Sequence, residues 1–219
     1  MKQFILLLLC CLLISLCGCG DFWYDVPSEF IDAPMYSAQK KGKVLGHPED
    51  KMLDNIYALK GLPESDYLYR TEGSFWGSDS PTGFLIMNKN AQEPIFRYDV
   101  YKIEIKRDKT NFDGSITAAG EPIVIEDAQI IADMISLRLN GSGKYWEDLE
   151  IDTDTYYDNP VCFYFDLPCQ LIWNSVIFRE EDENGDTIIY WKCLDVINDR
   201  EICYDATEIL EDIQNSGST

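Results

Sequence analysis

Six residues, Tyr101-Lys102-Ile103-Glu104-Ile105-Lys106, alternate apolar and charged without a break. Successive side chains of a strand point to opposite faces, so this period of two predicts a strand with one face buried and one wet. An amphipathic helix would instead need apolar residues three or four positions apart. The final third of the chain agrees. Val161–Asp166, Leu171–Arg179 and Thr187–Lys192 are dense in Val, Ile, Phe, Tyr and Trp, which suit a pleated, half-buried surface. Asn184-Gly185, between the last two, favours a tight turn and so an antiparallel pair. Shorter strands are expected at Tyr67–Thr71, at Phe84–Met87 and Pro94–Tyr98 around Asn88-Lys89-Asn90, at Ile123–Ile125, and near Ile202 after a turn at Asn198-Asp199.

Three segments carry a helical pattern. From Pro48 to Lys60, Met52, Leu53, Ile56, Tyr57 and Leu59 form an apolar face, with Gly61 and Pro63 as stop signals. His47 precedes that helix and reads as a capping or surface residue. From Asp127 to Leu139, Ile130, Ile131, Met134 and Ile135 share a face that Asn140-Gly141 ends. Asp205 with Glu208 three later forms a capping box for a last helix reaching Ile213. The sum predicts an α+β fold, a mainly antiparallel sheet with two or three short helices in a single domain over 47–214. Residues 215–219 form a polar tail expected to fray.

The N-terminus follows different rules. Lys2 precedes thirteen uncharged, almost wholly apolar residues, Phe4–Leu16. As a helix these reach about 20 Å, short of the hydrocarbon core of about 30 Å. Charge, apolar run and small residue succeed one another as in an export signal. Leu16-Cys17-Gly18-Cys19 resembles the lipobox of bacterial lipoproteins. The resemblance implies cleavage after residue 18 and lipid on Cys19, which has small Gly18 before it; Cys17 has bulky Leu16 there. It also implies a diacylglyceryl anchor, and two chains suffice for stable attachment. The protein would then sit at the cell membrane, facing away from the cytoplasm. Gly20 rather than Asp follows Cys19, which implies the outer membrane where the host has one. Residues 19–46, with Pro27, Pro34, Gly42 and Gly46 and no sustained period, read as a tether. Phe22, Trp23 and Tyr24 suit either the lipid headgroup level or a first strand packed on the domain.

Loss of the signal leaves seventeen basic against thirty-nine acidic residues, a balance of −22 before termini. Nucleic acid is excluded as a partner, since phosphates demand basic patches. An electrostatic grip on anionic lipid is excluded likewise. The remaining readings are a self-repelling surface or an acidic face for a basic protein partner.

Four cysteines remain beyond the anchor: Cys162, Cys169, Cys193 and Cys203. An even number in an exported chain predicts two disulfides, with three possible pairings. Zinc would need closer spacing, and His47 is the only histidine. Asp152, Asp154 and Asp158 form a weak calcium candidate, and the acidic run from Glu180 to Asp186 a weaker one that also reads as a turn.

No catalytic motif is present. Ser37-Ala38-Gln39-Lys40 has the Ser-x-x-Lys spacing without its companion motifs, and Gly141-Ser142-Gly143-Lys144 has Arg138 where a phosphate loop needs glycine. No cofactor is expected. The expected function is that of a membrane-anchored, non-enzymatic binding domain. An immunity or inhibitor lipoprotein against a toxin or cell-wall hydrolase, and a carboxylate-dependent surface hydrolase, are the alternatives.

Overall fold

The computed structural model describes residues 23–48, 54–71, 83–110, 116–118, 120–149, 159–182 and 184–216. Within these the chain is mainly antiparallel β, arranged as two principal sheets with three helices. The smaller sheet has the order β1-β6-β5-β4-β3. Its strands are β1 (Phe30–Ala33), β3 (Lys43–Gly46), β4 (Asn55–Ala58), β5 (Tyr67–Thr71) and β6 (Gly83–Asn88). The larger sheet runs β10-β7-β12-β13-β14-β15-β11. It comprises β7 (Val100–Ile105), β10 (Ile123–Ile125), β11 (Lys144–Tyr145), β12 (Asn159–Phe165), β13 (Leu171–Glu181), β14 (Thr187–Asp195) and β15 (Arg200–Asp205). A further strand, β2 (Tyr36–Ala38), pairs with β13 through Leu171–Trp173, while β14 pairs with β13 from Val176 onward. The eleven-residue β13 thus serves two partners along one edge, with β12 along the other. A small hairpin, β8 (Asp108–Thr110) with β9 (Ile116–Ala118), completes the strands.

The helices are α1 (Pro94–Arg97), α2 (Ala128–Asn140) and α3 (Thr207–Ser216). Helix α2 begins where the sequence predicts: the Asp127 carboxylate accepts from the amides of Gln129 and Ile130, leaving two fewer unpaired donors. For α3, Asp205 accepts from the Thr207 amide.

The main core lies between the sheets. Ala33, Tyr67, Tyr69, Leu85 and Met87 of the small sheet meet Val161, Phe163, Trp173 and Trp191 of the large one, with Ile131 and Met134 of α2. Aromatic packing dominates: Trp173 and Trp191 meet edge to face with centroids 5.5 Å apart, and Phe163 touches both. The Trp191 Nε1–H donates to Ser175 Oγ at 2.8 Å, so its polar end is satisfied in the interior. Both sheets also bury part of their outer faces. Tyr24, Val26 and Phe30 cover Ile56, Leu68 and Ile86, while Trp146 and Leu149 cover Phe178, Tyr190 and Cys203.

Three expectations from sequence are corrected. The helix over Pro48–Lys60 is not formed in its described part, where Asn55–Ala58 is strand β4 between β3 and β5. Ile56 faces the outer cluster and Tyr57 the main core. Apolar neighbours on two buried faces mimic the crowded face of a helix. The tether through residue 46 is likewise corrected, because β1, β2 and β3 are built into the sheets and Tyr36 is fully buried. Pro94–Tyr98, expected as a strand, contains α1, for which Pro94 supplies the fixed first-turn φ.

The stretch that predicted the fold best holds one exception. Ile103 and Ile105 are buried, but Tyr101 is half exposed. Tyr164 pairs with Lys102 and Phe165 with Val100, so Tyr101 is the extra residue of a bulge.

Candidate functional site

Among the described residues, those predicted from sequence do not converge on one site. Cys19 and the Asp152, Asp154, Asp158 group lie outside the described residues. In the other acidic run, Asp182 accepts from the amides of Asn184 and Asp186, which hold its carboxyl below the usual range. Gly185 completes that turn with a φ of +85°, open to glycine at no steric cost. Among the described residues, no group of three or more His, Cys, Asp or Glu is placed to hold a metal ion.

No disulfide joins Cys162, Cys169, Cys193 and Cys203, all of them buried, which corrects the expectation of two disulfides. Strand register supplies the reason. Cys193 pairs with Ile202 and Cys203 with Lys192, so the two sulfurs lie on opposite faces of the sheet. Cys193 joins the main core and Cys203 the outer cluster. Cys162 shares the outer face, but β13 and β14 separate its strand from that of Cys203, roughly 14 Å at ordinary strand spacing. A disulfide requires Cα atoms within about 7 Å. Cys169 lies in the turn between β12 and β13, with its side chain in the main core. Burial pushes the Cys169 and Cys193 thiols up and that of Cys203 up to about 12, which keeps them protonated and unreactive. His47 accounts for itself structurally: its Nδ1 lies 2.8 Å from the Asp54 carbonyl oxygen and so carries the proton.

Two features were not foreseen. The first is a buried charge centre in the core. Arg138 of α2 faces Glu93, with Nη1 2.9 Å from Oε2 and Nη2 donating to Oε1 at 2.9 Å. Nη2 also reaches the Leu194 carbonyl of β14. Tyr36 of β2 donates to Glu93 Oε2 and accepts from the Ile95 amide. The guanidinium lies over the Trp173 and Phe96 rings, 4.7 and 5.2 Å from their centroids. Burial raises the Tyr36 phenol well above its usual value, and the Glu93 carboxylate adds to this. Glu93 occupies the cap position of α1 but caps nothing, since its carboxylate is turned to Arg138. The centre therefore fastens β2, α1, α2 and β14 together. Arg138 was visible in sequence as a charge seven positions after Ile131, on the buried stripe of α2. Nothing in sequence pointed to Glu93.

The second is a groove of about 660 Å³ between α2 and α3. Residues 130, 133, 137 and 140 form a stripe beside the one that α2 buries, and α3 supplies the facing wall. Ile130, Leu137 and Ile209 provide apolar lining, while Asp133 and Glu208, both exposed, provide negative charge. Gln129 donates its amide to Asp133 Oδ1 at 2.8 Å and so orients that carboxylate. Gly141 closes the C-terminal end, where the final carbonyls of α2 add a partial negative charge. An acid-edged apolar groove suits binding of a cationic, amphipathic group. Comparison of the chain with family models, with curated proteins and with solved structures found no match.

Proposed function

We propose that the chain is a lipid-anchored protein of the cell envelope, whose α+β domain binds a protein partner outside the cytoplasm. The observation that carries the binding role is the groove between α2 and α3, which offers apolar surface and two carboxylates to solvent. The leader ending in Leu16-Cys17-Gly18-Cys19 supports the location. The buried cysteines are compatible with an oxidising compartment, because register puts Cys193 and Cys203 on opposite faces and burial raises the thiols of Cys169, Cys193 and Cys203.

Binding is favoured over carboxylate hydrolysis by a further observation. Among the described residues the buried carboxylates, Asp54 and Glu93, each pair with an arginine, Arg70 at 2.8 Å and Arg138 at 2.9 Å. A general acid needs a carboxyl left free to hold a proton near neutral pH. An immunity or inhibitor role is a narrower form of the same reading, in which the acidic domain covers a basic exported protein.

The test is cell fractionation with mass spectrometry. The native protein is expected in the membrane fraction, beginning at Cys19 and carrying diacylglycerol, and Cys19→Ser is expected to accumulate as uncleaved precursor. Native chain recovered from cytosol with Met1 intact and Cys19 unmodified would refute the location.

A further inference from the structure

Helix α2 has more apolar width than the sheets cover. Ile131, Met134 and Arg138 are its buried stripe, against the core. Ile130 and Leu137 are only partly buried: they pack against the edge of the core and also line the groove. On the opposite wall Leu210 is fully buried, while Ile209 is partly exposed and Glu208 lies at the rim. Two parallel needs therefore remain at this surface: apolar cover for the lining and positive charge for Asp133 and Glu208.

Among the described residues the groove is open rather than enclosed. A small-molecule site normally encloses most of its ligand, whereas two helices flanking an open channel present the geometry that receives a third. A second copy of the chain is a poor occupant, since each copy carries a net charge of −21 with its leader and would be repelled. Charge complementarity selects the occupant instead.

We propose that the groove between α2 and α3 binds a basic amphipathic helix of a partner protein. Leu- or Ile-type side chains at helical spacing would cover Ile130, Leu137 and Ile209, with flanking Lys or Arg beside Asp133 and Glu208. This rests on the interaction-domain reading above and adds the class of partner and the surface that receives it. Charged contacts at such a rim act mainly on association rate and specificity, so binding should weaken as salt rises.

The test uses the full anchored protein in nonionic micelles, with empty micelles as the blank. The probe is a fluorescein-labelled peptide of about fourteen residues, long enough to present three turns, with Leu at helical spacing and Lys elsewhere. Asp133→Lys with Glu208→Lys is expected to raise the peptide Kd about tenfold or more, the loss expected when two charge contacts turn repulsive. Asp32→Lys, an exposed change on β1, which does not line the groove, should move it less than about twofold. Equal weakening by Asp32→Lys, equal binding of a peptide with every Leu replaced by Ser, or no binding of the Leu–Lys peptide would each overturn the proposal. Capture from host envelope extract separates the two readings. A partner held by the native protein and lost from the Lys variant supports the groove. A partner held by both overturns the groove but leaves the interaction domain standing, and capture by neither overturns that domain as well.

Discussion

Two charge clusters in this protein use almost the same parts. In the core, Arg138 and Glu93 pair, Tyr36 donates to the acid, and the cation lies over Trp173. On the outer face of the large sheet, Lys102 and Glu104 pair at 2.7 Å, Tyr164 donates to the acid, and the ammonium lies 4.1 Å from the Tyr164 ring centroid. What differs is the surroundings. Side-chain exposure is 6% and 10% for the core pair, against 21% and 20% for the outer one. Removing charge from water costs several kcal/mol per ion, so each member of the core pair depends on the other, whereas water can replace either partner of the outer pair. The chemistry alone does not determine what an ion pair is worth.

The strongest way to break the comparison is Glu93→Leu, which strands the Arg138 guanidinium. A loss of about 3–5 kcal/mol is expected from the urea midpoint and slope. Adding Arg138→Met should restore most of that loss, because an apolar pair of similar volume needs no compensation. A double variant as unstable as the single one would show that the pair matters for shape rather than for charge balance. Tyr36→Phe should cost about 1–2 kcal/mol by the same measurement, as Glu93 and the Ile95 amide each lose a contact.

On the outer face, Lys102→Ala is expected to cost at most about 1 kcal/mol, and less at high salt. The smallest effect is a pH dependence. Hydrogen bonds from Lys102 and then Tyr164 hold the Glu104 carboxyl below the usual carboxylate range. Stability from this depression is therefore fully present above the unfolded carboxylate value and is lost as pH falls through the lower folded one. Urea titrations of native protein and Glu104→Gln should differ near neutrality and converge in acid; curves that stay parallel would remove Glu104 from the account.

Sequence reading succeeded where structure is local. Helix α2 was legible because Asp127 and Gly141 bound it and its apolar stripe lies within one helix. The ladder from β12 to β15 was legible because consecutive strands pair through short turns. Strand β4 was missed because both its faces are covered, which erases the alternation that reveals a half-buried strand. Strand β2 is three residues long and its partner lies far along the chain. The groove was half visible: Ile130 and Leu137 stood in the helical pattern, but only tertiary packing brings Ile209 opposite them. The cysteines misled for a related reason. Their number suggested pairing, while the register that keeps them apart is a property of the assembled sheet.

The double service of β13 has a consequence for how the molecule is made. The backbone of Tyr36–Ala38 has its strand partner in Leu171–Trp173, and the Asn174 side chain reaches back 139 positions to the Met35 carbonyl. Closing so long a loop is entropically costly and slows assembly. A ribosome that has delivered only the first two-thirds of the polypeptide holds β2 without its strand partner. Strand β2 is thus among the last elements to settle, since its partner belongs to the final third of the chain.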